Sequence, residues 1–210
     1  IFDNIRKFVV YLLSGNVGEI LAVAAAAVTN APLPLLPLQI LYLNLLNDVF
    51  PALALGVGPG TKRVMEHPPR DPGEDVITGT HWRLIGGYGV LIAAVVLAVF
   101  AAALQLFEMP TEQAVTVSFL TLSVSRLVHV FSMRSTDSGV LDNEIVRNPY
   151  VWVAFGICGG LLGGAVYWPL LADVLSVQPP GPMGWLLVAA GSTATLLLGQ
   201  IVVAFRGRDA

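Results

Sequence analysis

LYLNLLNDVFPALALG, residues 41–56, decides the reading of this chain, because it sets Asn44, Asn47 and Asp48 inside an apolar run and then interrupts that run with Pro51. A carboxylate at the centre of a membrane helix costs about 2.5–3.5 kcal/mol on the insertion scale, so such residues usually line an ion or substrate path. Pro51 has no N–H to donate and its ring crowds the preceding turn, so the helix is expected to break near Pro51, close to Asp48. Carbonyls freed at such a break are then available to coordinate a cation beside the carboxylate.

The rest of the chain fits a membrane setting for that stretch. Of its 210 residues, 55% are hydrophobic and only 12% charged, with a mean hydropathy of +0.75. A spanning helix needs about 20 mainly apolar residues. Six runs meet that length, at 8–28, 35–57, 84–107, 114–133, 151–171 and 183–205. The expected fold is therefore all-α, a polytopic membrane bundle of six transmembrane helices forming one domain over residues 1–210 in the lipid bilayer. Three of the spans carry a charge, Glu19 in the first, Asp48 in the second and Arg126 in the fourth.

Basic residues orient the bundle. Apart from Arg126, the ten remaining Lys and Arg (Arg6, Lys7, Lys62, Arg63, Arg70, Arg83, Arg134, Arg147, Arg206 and Arg208) fall on one side of a six-span chain. The opposite loops, 29–34, 108–113 and 172–182, hold Glu108, Glu112 and Asp173 but no Lys or Arg. By the positive-inside rule both termini are expected to be cytoplasmic. A wrong number of spans would have scattered these charges over both sides.

Other features bound the function. The net charge of −3 includes no basic cluster of the kind that binds nucleic acid. Cys158 is the one cysteine, so no disulfide can form within the chain, and it reads as a small packing residue. His67 and His81 have no Cys or His partners at ligand spacing, which argues against a transition-metal site. Gly156, Gly159, Gly160, Gly163 and Gly164 permit close helix contact, with packing inside the bundle the expected use. The chain opens on IFDNIRKFVVYL without an initiator Met or a signal-peptide pattern, and a longer protein is expected.

Chemistry resides in the spacing of the intramembrane polar groups. Asn16 and Glu19 are three apart, Asn44 stands three and four before Asn47 and Asp48, and Arg126 precedes His129 by three, so each set shares a helix face. Hard cations take oxygen ligands, and two carboxylates with the amide oxygens of Asn16, Asn44 and Asn47 supply them. Two plainer readings stay open: amides that only hydrogen-bond neighbouring helices, and Glu19 as an ion-pair partner of Arg126. Arg126 itself either faces the interior or snorkels to the basic end. Gln39, Gln105 and Gln200 are expected to serve between helices or at the interface.

Three passages carry a family resemblance: YLLSGNVGEI at 11–20, LQILYLNLLNDVFPALALG at 38–56 and MEHPPRDPGEDVITG at 65–79. In order and spacing they resemble the fifth helix, the sixth helix and the following cytoplasmic loop of P-type cation-transporting ATPases of the calcium and sodium-potassium pump type. FLTLSVSRLVHVFSMRS, 119–135, resembles the eighth helix less closely. The resemblance implies the C-terminal membrane half of such a pump, with Asn16, Glu19, Asn44, Asn47 and Asp48 as ligands of the transported cation, calcium first. Arg126 departs from the pattern, standing where related pumps carry Glu, Gln or Asp, and His129 stands where Asn is common.

A fixed guanidinium beside Glu19 would take the electrostatic place of a cation. One cation site centred on Asp48 is then expected, or a counter-ion arrangement for protons or a monovalent ion, with Arg126 and His129 modulating it. No DKTGT motif, no TGE and no Pro-Glu-Gly-Leu occurs in the 210 residues. Phosphoryl transfer needs a nucleophile and a phosphate cradle, so this chain alone is not expected to hydrolyse ATP. ATP and magnesium would bind in the pump's other domains. Arg6, Lys7 and residues 62–75, a proline-rich stretch, would form the surface that couples those domains to the ion site. The alternatives are a self-contained six-helix secondary transporter or channel for protons or monovalent cations, and a noncatalytic assembly subunit.

Overall fold

The computed structural model describes residues 2–58, 75–135 and 138–206, the side chain of Arg206 excepted. Its elements are α1 (Phe2–Val28), α2 (Pro37–Gly56), α3 (Gly79–Gln105), α4 (Thr111–His129), a 3₁₀ turn (Val130–Met133), α5 (Pro149–Tyr167), α6 (Pro169–Leu175) and α7 (Gly181–Arg206). Six of these helices, α4 taken with its 3₁₀ turn, are long and apolar enough to cross a membrane, and among the described residues there is no strand. The chain is an all-helical, multi-pass membrane protein.

Local sequence sets the helix ends. Pro37, Pro149 and Pro169 open α2, α5 and α6, where a missing N–H costs nothing. Asn148 caps α5 by accepting from the Tyr150 N–H at 3.0 Å. His81, in the first turn of α3, accepts from the Thr78 N–H at 3.2 Å. Away from the basic end, Asn30, Glu108 and Ser176 take positive φ values of 52°, 48° and 51° and reverse the chain after α1, α3 and α6. Pro169 also explains why the fifth span stops at Tyr167 rather than running on to residue 171: the helix ends before the ring and restarts as the short α6.

The expected break in the second span is absent: α2 runs from Pro37 to Gly56 with Pro51 inside it. Proline deprives the Asn47 carbonyl of its donor one turn back. The Tyr11 hydroxyl of α1 supplies a replacement at 3.1 Å. One lone pair of that carbonyl is therefore taken by a protein donor. At its C-terminal end α2 is fastened by Asn148 Nδ2 to the Ala54 carbonyl at 2.8 Å and by Asn4 Nδ2 to the Gly58 carbonyl at 2.8 Å.

α4 is the interior helix. In its most apolar stretch 83% of residues are buried, against 33–50% for the other five spans. This placement lets a helix with Thr116, Ser118, Thr121, Ser123, Ser125, Arg126 and His129 survive in the bundle, since all seven are buried away from lipid. α1 and α3 approach closely at a pair of glycines. A Cβ on Gly89 would lie 2.5 Å from Val17 Cγ1, and one on Gly18 would lie 3.1 Å from the Gly89 carbonyl. The glycines of α5 behave otherwise: a Cβ on Gly156, Gly159, Gly160, Gly163 or Gly164 would meet nothing within 4 Å. Their expected packing inside the bundle is thus not observed, because that face of α5 turns outward.

The apolar core has two parts, one reaching from Leu35, Ala103 and Leu175 up to Leu127, the other gathering Val10, Tyr11, Ala54, Ile85, Met133 and Ile145. Phe50 and Phe155 pack against both. Outside, Leu41, Leu45 and Leu53 of α2 are more than 60% exposed on one stripe, as a lipid-facing or helix-facing surface requires. Aromatic side chains mark both ends of the bundle, Trp82, Tyr150 and Trp152 at the basic end and Tyr167, Trp168 and Trp185 at the other, all exposed.

Candidate cation site

The two polar groups of α1 and two of the three on α2 face one another because helical spacing puts Asn16 with Glu19, and Asn44 with Asp48, on single stripes. Between them lies the guanidinium of Arg126, delivered by α4. Nη1 donates to Glu19 Oε2 at 3.0 Å and to Asn44 Oδ1 at 3.3 Å. Nη2 donates to Asn16 Oδ1 at 2.9 Å and to Asp48 Oδ1. Arg126 is 1% exposed, so it does not snorkel. Two amides and two carboxylates, from two helices, are gathered around one buried cation that belongs to the protein itself.

Burial within the cluster is uneven. Glu19 is 5% exposed, whereas the Asp48 side chain retains 24% and Asn16 and Asn44 are half-buried. The cluster is therefore closed toward α4 and half-open on the outer side of α1 and α2. Its formal charge, two carboxylates against one guanidinium, is −1. Removing ions from water costs several kcal/mol each, and charged hydrogen bonds of this number are what offsets that cost. Among the described residues no three His, Cys, Asp or Glu side chains come together, so the ligand chemistry on offer is oxygen from two carboxylates and two amides.

Asn47 does not join this group. It is fully buried, donates to Ser123 Oγ on α4 at 3.3 Å, and its Oδ1 has no hydrogen-bond partner among the described residues. A step of one residue turns a helical side chain by about 100°, so Asp48 faces α1 while its neighbour faces α4. His129, one turn beyond Arg126, also stays outside the cluster. Its ring stacks on Tyr11 at 6.1 Å and meets the edge of Tyr88 at 4.5 Å, with Nε2 unpartnered among the described residues. Gln39 and Gln200 serve between helices as expected, bonding the Leu175 carbonyl and Arg134 Nε respectively.

Sequence reasoning missed Tyr11, Gly15 and Ser123. Tyr11, Gly15 and Glu19 recur every four residues on the buried stripe of α1. That period was the available signal. Tyr11 caps Asn47, and Gly15 lies against Arg126: a Cβ there would be 2.5 Å from Nε, 2.9 Å from Cζ and 3.0 Å from Nη2. A glycine inside a helix costs about 1 kcal/mol relative to alanine, and here the missing methyl is the space the guanidinium fills.

At the basic end α1 is tied to two connecting segments. Arg6 donates from Nε to the Val76 carbonyl at 2.9 Å and from Nη2 to the Asp75 carbonyl at 3.4 Å. Lys7 Nζ pairs with Glu144 Oε1 at 2.6 Å, and the same oxygen accepts from the Ser135 N–H and hydroxyl at 2.7 Å each. Burial would raise the Glu144 pKa, but the hydrogen bonds from Lys7 and Ser135 and the Lys7 charge overcome it and bring it down to about 2. Of the expected coupling surface, Arg6, Lys7 and Asp75 make these contacts. Residues 62–74 lie outside the described residues, as do the loop prolines and His67.

The sequence profile of the family described as "Cation transporting ATPase, C-terminus" matches residues 32–205. A calcium-transporting ATPase of Bacillus subtilis is 35% identical over 205 residues, and one of Listeria monocytogenes is 32% identical over 206, each alignment covering 96% of this chain and 23% of the relative. An endoplasmic reticulum-type calcium-transporting ATPase of Arabidopsis thaliana is 27% identical over 262 residues, covering 99% of this chain and 25% of the relative. The chain thus spans about a quarter of the length of the curated relatives it matches.

Proposed function

From the premise that this chain belongs to the cation-transporting ATPases, as their C-terminal membrane part, we propose that it binds and translocates one divalent cation, calcium, in an ATP-driven P-type pump. One observation carries the reading: Asn16, Glu19, Asn44 and Asp48 converge from two helices on a single buried point held by Arg126. Oxygen ligands suit a hard cation, and the relatives named above are calcium-transporting.

Charge limits the number of ions. With Arg126 in place the cluster carries −1, which favours one further cation and opposes two divalent ions packed side by side. Arg126 then acts as a resident cation, Glu19 as its counter-ion, and Asp48, with the half-buried amides Asn16 and Asn44, as the group open to the transported ion. Asn47 serves the α2–α4 contact through Ser123 in this reading rather than ligating the ion.

Coupling follows from α1. Aspartyl phosphorylation, with ATP and magnesium, would take place in the other domains of the pump. The start of α1 is fastened through Arg6 and Lys7 to Val76 and Glu144, and the same helix carries Asn16 and Glu19 about three turns on. A displacement of that end therefore reaches the ligands as motion of one rigid element. The described basic residues Arg6, Lys7, Arg83, Arg134 and Arg147 all lie at this end, which supports a cytoplasmic placement of both termini.

The test is Asp48→Asn in the full-length pump. Calcium-dependent phosphoenzyme formation should be lost while phosphorylation by inorganic phosphate, which does not need the bound ion, remains. Wild-type calcium dependence in that variant would remove Asp48 from the site and with it this reading.

A further inference from the structure

We infer that Gly15 is a specificity-determining position of the cation site: by lacking a Cβ it admits the Arg126 guanidinium between the carboxylates, and so sets how many ions the site can take and how tightly. This rests on the reading of the cluster as the ion site and adds a residue that has no ligand atom of its own.

The geometry is restrictive. A methyl at position 15 would sit 2.5 Å from Arg126 Nε and 2.9 Å from Cζ, closer than carbon can approach either atom, and 3.0 Å from Nη2. Gly15 is buried in the middle of α1, four residues before Glu19, so the backbone there cannot retreat without moving a ligand. Arg126 is the movable partner, because the clash falls on the far end of a long side chain. Its Nε has no hydrogen-bond partner among the described residues, so nothing on that edge resists displacement. Among the described residues the other edge is held by the four acceptors that define the site. A side chain at position 15 therefore acts on the ion site through Arg126, making Gly15 a positioning residue.

Displacing the guanidinium removes one positive charge from contact with Asp48 and Glu19. The cluster moves from −1 toward −2, which strengthens attraction for calcium and frees the oxygens of Asn16 and Asn44. Gly15→Ala is then expected to reproduce Arg126→Gln in the direction of its effects.

The experiment measures calcium bound per phosphorylatable pump, the half-saturating calcium concentration for phosphorylation, and the pH profile of both. The proteins compared are the full-length pump, Gly15→Ala, Arg126→Gln and the double variant. Gly15→Ala should lower half-saturating calcium by roughly tenfold or more, the scale of one unit charge withdrawn a few ångströms in a partly buried site, and its pH profile should move toward that of Arg126→Gln. Adding Gly15→Ala to Arg126→Gln should change nothing further, because the shorter side chain leaves the methyl room. A folded Gly15→Ala pump with wild-type calcium affinity and pH profile, or additive effects in the double variant, would overturn the inference. Should Gly15→Ala fail to fold, the double variant decides: recovered folding supports a clash with Arg126, and continued failure refutes it. Asp48→Asn run in parallel separates the two levels. If it leaves calcium binding intact, the site reading and this inference both fall, whereas loss of binding in Asp48→Asn with a silent Gly15→Ala strikes this inference alone.

Discussion

The Tyr11 hydroxyl donates at 3.1 Å to the carbonyl of Asn47, the carbonyl that Pro51 leaves without its helical donor. α2 can thus carry a proline one turn beyond its site residues and remain a helix, because α1 completes its hydrogen bonding. Tyr11→Phe removes that donor and leaves a buried acceptor unpaired, a loss of about 1–3 kcal/mol. Unfolding of the purified protein in mixed micelles should show a decrease of this size, and an unchanged unfolding midpoint would mean that the carbonyl finds water instead.

Arg126 has two carboxylate partners inside the bundle. Arg126→Ala leaves Glu19 and Asp48 without their cation, and breaking a buried pair by removing one partner typically costs about 3–5 kcal/mol. A triple variant that also replaces Glu19 with Gln and Asp48 with Asn should recover much of that loss, since the remaining groups are then neutral. Equal instability of the two variants would show that the arginine contributes through packing and not through charge.

Stability should depend on pH through Glu144. Its pKa is held at about 2, below the ordinary 4.5, so ionised Glu144 stabilises the folded state fully above about 4.5, and that contribution is lost as pH falls from 4.5 through 2. The size is on the order of 3 kcal/mol at neutral pH. Glu144→Gln removes it, so wild type and variant should differ at neutral pH and converge at pH 2. Parallel curves over that interval would show that Lys7 and Ser135 do not hold the carboxylate in solution.

Two sets of glycines should respond in opposite ways. Gly89→Ala places a methyl 2.5 Å from Val17 Cγ1, and overpacking of this kind costs about 1–3 kcal/mol. Gly160→Ala meets nothing within 4 Å and should be neutral or stabilising by up to about 1 kcal/mol through helix propensity. A destabilising Gly160→Ala in the full-length pump, with none in the isolated chain, would reveal a partner seated on the outer face of α5.

Much of the cluster was legible in the spacing. Asn16 with Glu19, and Asn44 with Asp48, were placed on shared faces by the three- and four-residue intervals alone, and the structure brings those four together. Asn47 satisfied the same rule and still turns to Ser123, because a helix stripe is wide enough to touch two neighbours. Gly15 falls on the same four-residue period as Tyr11 and Glu19, but that spacing does not say that a guanidinium from a distant helix fills the place of its missing side chain.

By itself the sequence determined that this chain crosses the membrane six times and that its basic residues gather at one end, because about 20 apolar residues in a row have no stable alternative and loop charge can be counted without coordinates. Only the tertiary structure decided that Pro51 does not break α2, that the α5 glycines face outward, and that Arg126 points into the bundle. Each of these depends on how a helix is rotated about its own axis and on which neighbour supplies the missing hydrogen-bond partner. Packing fixes that rotation among groups far apart in the chain, Tyr11 with Asn47 and Arg126 with Asp48, and no local pattern encodes it.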